Sequence, residues 1–306
     1  MSFSKNSATG VFKMSSNSCV DGLFMPIAKN AERRQMKIKH TFGDSFYIFE
    51  TEQCDAFDQS VLFSLIAQAE LSIRQEKEAK ILDEHNVQLS CLYEKMGGRT
   101  SVYYKTTMYQ IAQDCFGNIR PNTTKYRRLH ESLNRLSKIN VRVHQKVNGK
   151  IIRGSYNLIS YTSIEDIETG KVDIYISFSE FFSRMLAGYI QQFTLIDFFE
   201  RSKLSSFGQL LYSYLCFAVR PKGKIKNWNI DGLIKHIYNI EDISVLDRKI
   251  LYKYRKNIIS ALKEIDEKTN WKAHIDGHFF SVSRPAVEAE TRARQEAGQA
   301  AETALG

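Results

Sequence analysis

The sequence predicts an α+β chain in which one arrangement occurs twice: a short apolar helix, a polar turn, a longer basic amphipathic helix and a β-hairpin. Three observations carry this. Asn148-Gly149 and Asp276-Gly277, pairs suited to two-residue hairpin turns, each lie between runs of alternating β-formers. A helical segment precedes each hairpin, with leucine and isoleucine on one side and lysine and arginine on the other. The turn glycines stand 128 residues apart, as do Arg127 and Arg255 on those helices, so the halves share a register. This order of elements is that of a winged helix, a helix-turn-helix followed by a β-hairpin wing, here in tandem.

Residues 1–42 are rich in Ser, Asn and Lys and read as a flexible N-terminal arm with one apolar anchor, Leu23-Phe24-Met25. The first winged-helix domain, 43–168, opens with a strand over 46–49 and a helix over 57–73. The short helix spans 106–116 and is stopped by Gly117-Asn118. Asn122 or Thr123 caps the basic helix, which reaches about Ile139, and strands over 141–147 and 151–159 make the wing. The second domain, 169–285, opens with a strand over 172–177 and helices near 180–186 and 204–219. In the last, Leu204, Phe207, Leu211, Tyr214 and Leu215 form one stripe, which reads as core. Its short helix is 230–238. Glu241-Asp242 and Ser244 give a capped start to a helix reaching about Lys268, and the wing spans 271–282. The tail, 286–306, alternates Ala, Glu, Gln and Arg and reads as a disordered or frayed helix.

Charge narrows the function. The 306-residue chain has a formal net charge of +9 with 43% hydrophobic residues, enough for two cores and suited to a polyanionic partner. Between Arg120 and Arg153 stand ten Arg or Lys and one acid, Glu131. At 100° per residue, Tyr126, Leu129, Leu133 and Leu136 share the inner face, whereas Thr123, Thr124, Arg127, Glu131, Asn134 and Lys138 point outward. The outward set holds the side chains that read base edges: Arg for guanine, Asn for adenine, Glu for cytosine and Thr for a thymine methyl or a phosphate. Thr123, Thr124 and Arg127, in the first turns, are the leading base contacts. Lys125 and Arg128 fall where phosphates pass, Lys146, Lys150 and Arg153 lie on the wing, and Arg120 and Arg135 complete the basic set expected to bind DNA.

The second basic helix turns Lys249, Tyr252, Lys253, Lys256 and Lys263 outward, with Arg248 and Arg255 beside its apolar seam. Lys222, Lys224 and Lys226 form a basic loop ahead of the short helix. This half is richer in Lys, so phosphate contact dominates its expected role. His274 and His278 bracket the second wing turn and read first as plain surface histidines and second as wing contacts to phosphate, not as zinc ligands, since no Cys lies near and a structural zinc site needs four ligands.

No enzyme signature accompanies these features. The sequence contains no P-loop, no His-x-His metal pair of a nicking enzyme and no Asp-x-Asp pair of a primase, so neither catalysis nor a cofactor is expected. Five scattered cysteines without a Cys-x-x-Cys pair read as reduced thiols in cytoplasm. No apolar run is long enough to cross a bilayer, and no membrane partner is expected.

Further motifs are Gly22-Leu23-Phe24, Asp173-Ile-Tyr-Ile-Ser-Phe-Ser179 with Met185-Leu-Ala-Gly188, Leu210-Leu-Tyr-Ser-Tyr-Leu-Cys216, Trp-Asn-Ile-Asp-Gly-Leu from Trp228, and the ending Val-Ser-Arg-Pro285. Through them, and over residues 19–285, the chain resembles the RepC-type replication initiators of IncQ plasmids. The resemblance implies binding to repeated origin sequences (iterons) in double-stranded DNA, help in opening an adjacent AT-rich segment, and recruitment of helicase and primase, with no metal or nucleotide cofactor. The residues leave open a monomer or a homodimer as the active form. They also fit a transcriptional regulator that binds promoter DNA without melting it.

Overall fold

The computed structural model describes residues 11–15, 22–28, 31–42, 45–78, 103–116, 121–147, 150–168, 172–179 and 193–286. The chain divides into two compact units. One comprises Met14–Phe193 with Ile237–Asn239, and the other Met1–Lys13, Thr194–His236 and Ile240–Gly306. Strand β1 (Val11–Ser15) pairs with a strand at residues 193–197.

In the first unit, β2 (Gln35–Phe42) and β3 (Ser45–Glu52) precede α1 (Ala56–Glu78), β4 (Tyr103–Thr107), α2 (Met108–Phe116) and α3 (Thr123–Ser137). After α3 come β5 (Asn140–Val147), β6 (Lys150–Asn157), β7 (Ile159–Glu165) and β8 (Val172–Phe178). The antiparallel sheet β2-β3-β5-β6 sets Ile38 opposite Phe49, and Phe49 opposite Val141; all three are buried. A second sheet runs β4-β8-β7. Helix α1 packs against α2, α3 and β4. Val61, Leu62, Phe63, Leu65 and Ile66 are buried in succession, so α1 is a central helix covered on most sides. The anchor segment holds to this unit: Leu23 is buried, and the Met25 amide donates to the Cys54 carbonyl at 2.9 Å.

Two expected boundaries move. Residues 35–42, assigned to the polar arm for want of sustained periodicity, form β2: Lys37 and Lys39 stay exposed while Ile38 between them is buried. The strand expected to open the second domain is β8, the middle of a sheet in the first unit, with Ile174, Ile176 and Phe178 alternating into the core. The sequence pattern shows a strand there but carries no information about its partner. The helix expected near 180–186, the stop at Gly117-Asn118 and the tail beyond 286 lie outside the described residues.

A buried carboxylate ties α1 to α3. Asp55 caps α1 by accepting from the amides of Phe57 and Asp58, and Asp58 accepts in return from the Asp55 amide at 2.9 Å. The Asp58 side chain is fully buried. It accepts from the Ser132 hydroxyl at 2.7 Å, from the Arg135 guanidinium at 2.9 Å and from Arg33 at 3.1 Å. Arg33 also donates to Asp55 and to the Gln53 carbonyl.

In the second unit, β9 (Phe193–Asp197), α4 (Phe198–Ser202) and α5 (Ser206–Ala218) precede β10 (Lys224–Asn229) and α6 (Ile230–Tyr238). A 3-10 turn (Ile243–Val245) leads to α7 (Arg248–Lys268) and the hairpin β11 (Lys272–Asp276) and β12 (Phe279–Ser283). The sheet order is β10-β12-β11. Leu211 and Leu215 of α5 are buried with Ile258, Leu262 and Ile265 of α7 and with Phe280 and Val282 of β12. Buried Arg284, just past β12, donates to the carbonyls of Cys216 and Val219 at 2.8 Å each, satisfying the open end of α5. Pairing of Asp276 with Phe279 leaves Gly277-His278 as the turn, one residue later than expected, with Gly277 at φ +56°.

Both units thus carry the order read from sequence: short helix, basic helix, antiparallel hairpin. Replacing Asp58 by Ala would leave Ser132 and two guanidinium groups facing an apolar gap. Urea denaturation is expected to show a loss of about 3 kcal/mol, the low end for breaking a buried ion pair because Arg135 keeps some contact with water. An unchanged midpoint would contradict this role for Asp58.

Candidate nucleic-acid interface

Helix α3 begins at a true cap: the Asn122 side chain accepts from the Lys125 amide at 3.0 Å, as expected for Asn at that position. Leu129, Leu133 and Leu136 are fully buried, which fixes the rotation of the helix about its axis. Thr123, Thr124, Arg127, Arg128, Glu131, Asn134 and Lys138 are exposed in consequence. Arg127 forms no ion pair with a described residue. Its neighbours are less free: the Arg128 guanidinium lies 4.0 Å from the Phe57 ring centroid, and the Lys125 ammonium 5.1 Å from that of Phe116. Each stem covers an aromatic ring while its charge stays at the surface. Asn134 accepts a hydrogen bond from the Tyr161 hydroxyl at 2.5 Å, which occupies its carbonyl oxygen but leaves its amide.

One expected DNA-binding residue is a structural residue. Arg135 points to the side, where Asp58 holds it through both Nε and Nη2, and its side chain is 13% exposed. A basic residue on a basic helix gives no sequence sign that a carboxylate 77 residues earlier claims it. On the wing, Arg153 is exposed on β6 opposite His144. Lys146 and Lys150 lie on the paired strands, but their side chains fall outside the described residues, as do Arg120 and the turn Asn148-Gly149.

Helix α7 is capped by Asp247, whose side chain accepts from the Lys249 amide at 2.7 Å. The start expected at Glu241-Asp242 is instead the 3-10 turn, with Asp242 accepting from the Ser244 amide. Arg248, Lys249, Tyr252, Lys253, Lys256 and Lys263 are all exposed, and none forms an ion pair with a described residue. Arg255 is engaged: its guanidinium donates to both oxygens of Asp231 on α6, at 2.7 and 2.6 Å. These hydrogen bonds hold the Asp231 carboxyl below the usual carboxylate range.

Lys222, Lys224 and Lys226 are exposed, yet the expected basic loop is a strand from Lys224 onward. β10 pairs with β12, with an irregularity between Ile225 and Trp228 where Asn227 takes φ +54°. His274 lies exposed on β11 and His278 within the turn. The described residues contain no cluster of His, Cys, Asp and Glu fit to hold a metal ion. No described helix is long and apolar enough to cross a membrane. Burial raises the Cys54 thiol to about 12 and the Cys216 thiol to about 11, so both act as core side chains.

These elements define a tandem winged-helix protein. The family described as Initiator Replication protein, WH1 matches residues 61–216, just over half of the chain, and the chain belongs to this family of replication initiators. Two solved structures share the fold. One is the RctB domains 2-3, with TM-score 0.52; the other is selenomethionine derivatives of domain 2 and domain 3 of RctB, with TM-score 0.50. Each is 11% identical in sequence and is matched over 88% of this chain and 97% of its own. A comparison with curated proteins found no match.

The Arg255–Asp231 pair gives a pH test. A carboxylate whose folded value is lowered adds stability above its unfolded value, about 3.9, and that stability is lost as pH falls through the folded value. At neutral pH the Asp231→Asn variant is therefore expected to unfold at lower urea concentration than the parent chain, with the gap closing below about pH 4. A gap constant from pH 3 to pH 7 would remove the ion pair from the account.

Proposed function

We propose that this chain initiates plasmid replication by binding repeated origin sequences, or iterons, in duplex DNA through α3 and α7, with the two wings beside them on the phosphate backbone. The observation that carries the proposal is the free outward charge on both helices of a chain that belongs to a replication initiator family. Arg127 on α3, and Lys249, Lys253, Lys256 and Lys263 on α7, are exposed and unneutralised by described residues, while the opposite faces are buried.

A protein surface does not keep so one-sided a charge stripe for stability, since like charges repel; a polyanion offsets that repulsion and releases counterions. The resemblance to RepC-type initiators of IncQ plasmids extends the proposal to opening of an AT-rich segment and recruitment of helicase and primase in the cytoplasm, without catalysis or a cofactor of the chain's own. Two residues within that resemblance serve the scaffold of the site: Asp231 holds Arg255, and Arg284 closes α5.

Mobility-shift titration over a range of salt is the direct test. If six to ten phosphates are neutralised, log K is expected to fall with log salt at a slope of about −5 to −9. Arg127→Ala is expected to cost about 1–3 kcal/mol on the specific site and to relax preference at one base pair, whereas Lys253→Ala weakens specific and random duplex alike. A slope near zero, or equal losses for Arg127→Ala on both duplexes, would contradict the proposal. Permanganate reactivity of thymines beside the bound repeats separates an initiator from a regulator that leaves the duplex closed.

A further inference from the structure

The two recognition helices differ at the centre of their outward faces. Counted from the caps Asn122 and Asp247, the fifth helical residue is Arg127 in α3 and Tyr252 in α7. The turn-based register instead aligns Arg127 with Arg255, but Arg255 is bound to both oxygens of Asp231 and is not presented outward. Where one unit offers a guanidinium, the other offers a phenol ring.

That ring adds little to the core, since Tyr252 is 69% exposed. Val245 in the preceding turn is 78% exposed and Ile250 43%, so three large apolar side chains stand in water within eight residues. Lys249 and Lys256 lie one turn before and after Tyr252 on the same side of the helix. The lysines suit phosphates. The ring has no donor fork for guanine O6 and N7, and the apolar group that a major groove displays is the C5-methyl of thymine.

We infer that α7 reads thymine methyl groups through Tyr252, while α3 offers Arg127 to guanine. This rests on the duplex-binding reading above. The two units then read different bases, which gives a repeat a direction.

The test selects a duplex from a random pool with the full chain, then replaces thymidine by deoxyuridine, which deletes only the methyl group. Affinity is expected to fall about three- to fourfold for each methyl in contact, the effect of one buried methylene-sized group. Tyr252→Ala is expected to bind the thymine and uracil duplexes equally, and Tyr252→Phe to keep the preference. Equal binding of both duplexes by the parent chain would overturn the inference and leave duplex recognition standing. A uracil penalty that persists undiminished in Tyr252→Ala would also overturn it, because the methyls would then be read elsewhere. Absence of any selected duplex would overturn the duplex-binding reading and the inference with it.

Discussion

In each unit a carboxylate on an earlier helix holds a guanidinium on the basic helix: Asp58 of α1 holds Arg135 of α3, and Asp231 of α6 holds Arg255 of α7. A helix packed only by leucines and isoleucines tolerates small rotations, because apolar contact is not directional. A charge-assisted hydrogen bond is directional. The pair at Asp58 is the stronger constraint, since its carboxylate is buried and would carry a large desolvation penalty without its donors. A turn of 100° about the axis of α3 would break it and carry Leu129 and Leu133 toward water. The outward placement of Arg127 follows from that restriction.

The same pairs sort the cations of this basic chain into two kinds. Arg135, Arg255 and Arg284 are engaged by groups of the protein itself, by Asp58, by Asp231 and by the last carbonyls of α5. Arg127 and the lysines of α7 are not, and they lie on the sides of their helices opposite the core. Arginine holds the structural positions in all three cases, as its planar fork favours. In the proposed duplex contact, the free lysines on α7 provide charge without geometry, so discrimination by that helix falls to Tyr252.

Much of this was legible in the sequence, because it depends on local chemistry. The cap at Asn122, the helix over Ile230–Tyr238 and the two hairpins follow from turn residues and periodicity within a dozen residues. What the sequence hid depends on partners far along the chain. β8 reads as a strand, but nothing local says that it lies between β4 and β7. Arg135 and Arg255 read as surface cations until Asp58 and Asp231 are brought beside them. The shared spacing of 128 residues misled in the same way: it holds for the turn glycines, but the helix caps are 125 apart, so the residue matching Arg127 is Tyr252.

The proposed duplex contact places the outward faces of α3 and α7 on DNA while Arg135 and Arg255 stay bound to Asp58 and Asp231. Its most direct measurement is the acylation rate of each lysine in the full chain, read by mass spectrometry with and without duplex. Lys249, Lys253, Lys256 and Lys263 are expected to slow when DNA is added, while Lys105 and Lys268, paired to Asp173 and Glu264, keep their rates. Unchanged rates along α7 under conditions where the duplex is bound would contradict it.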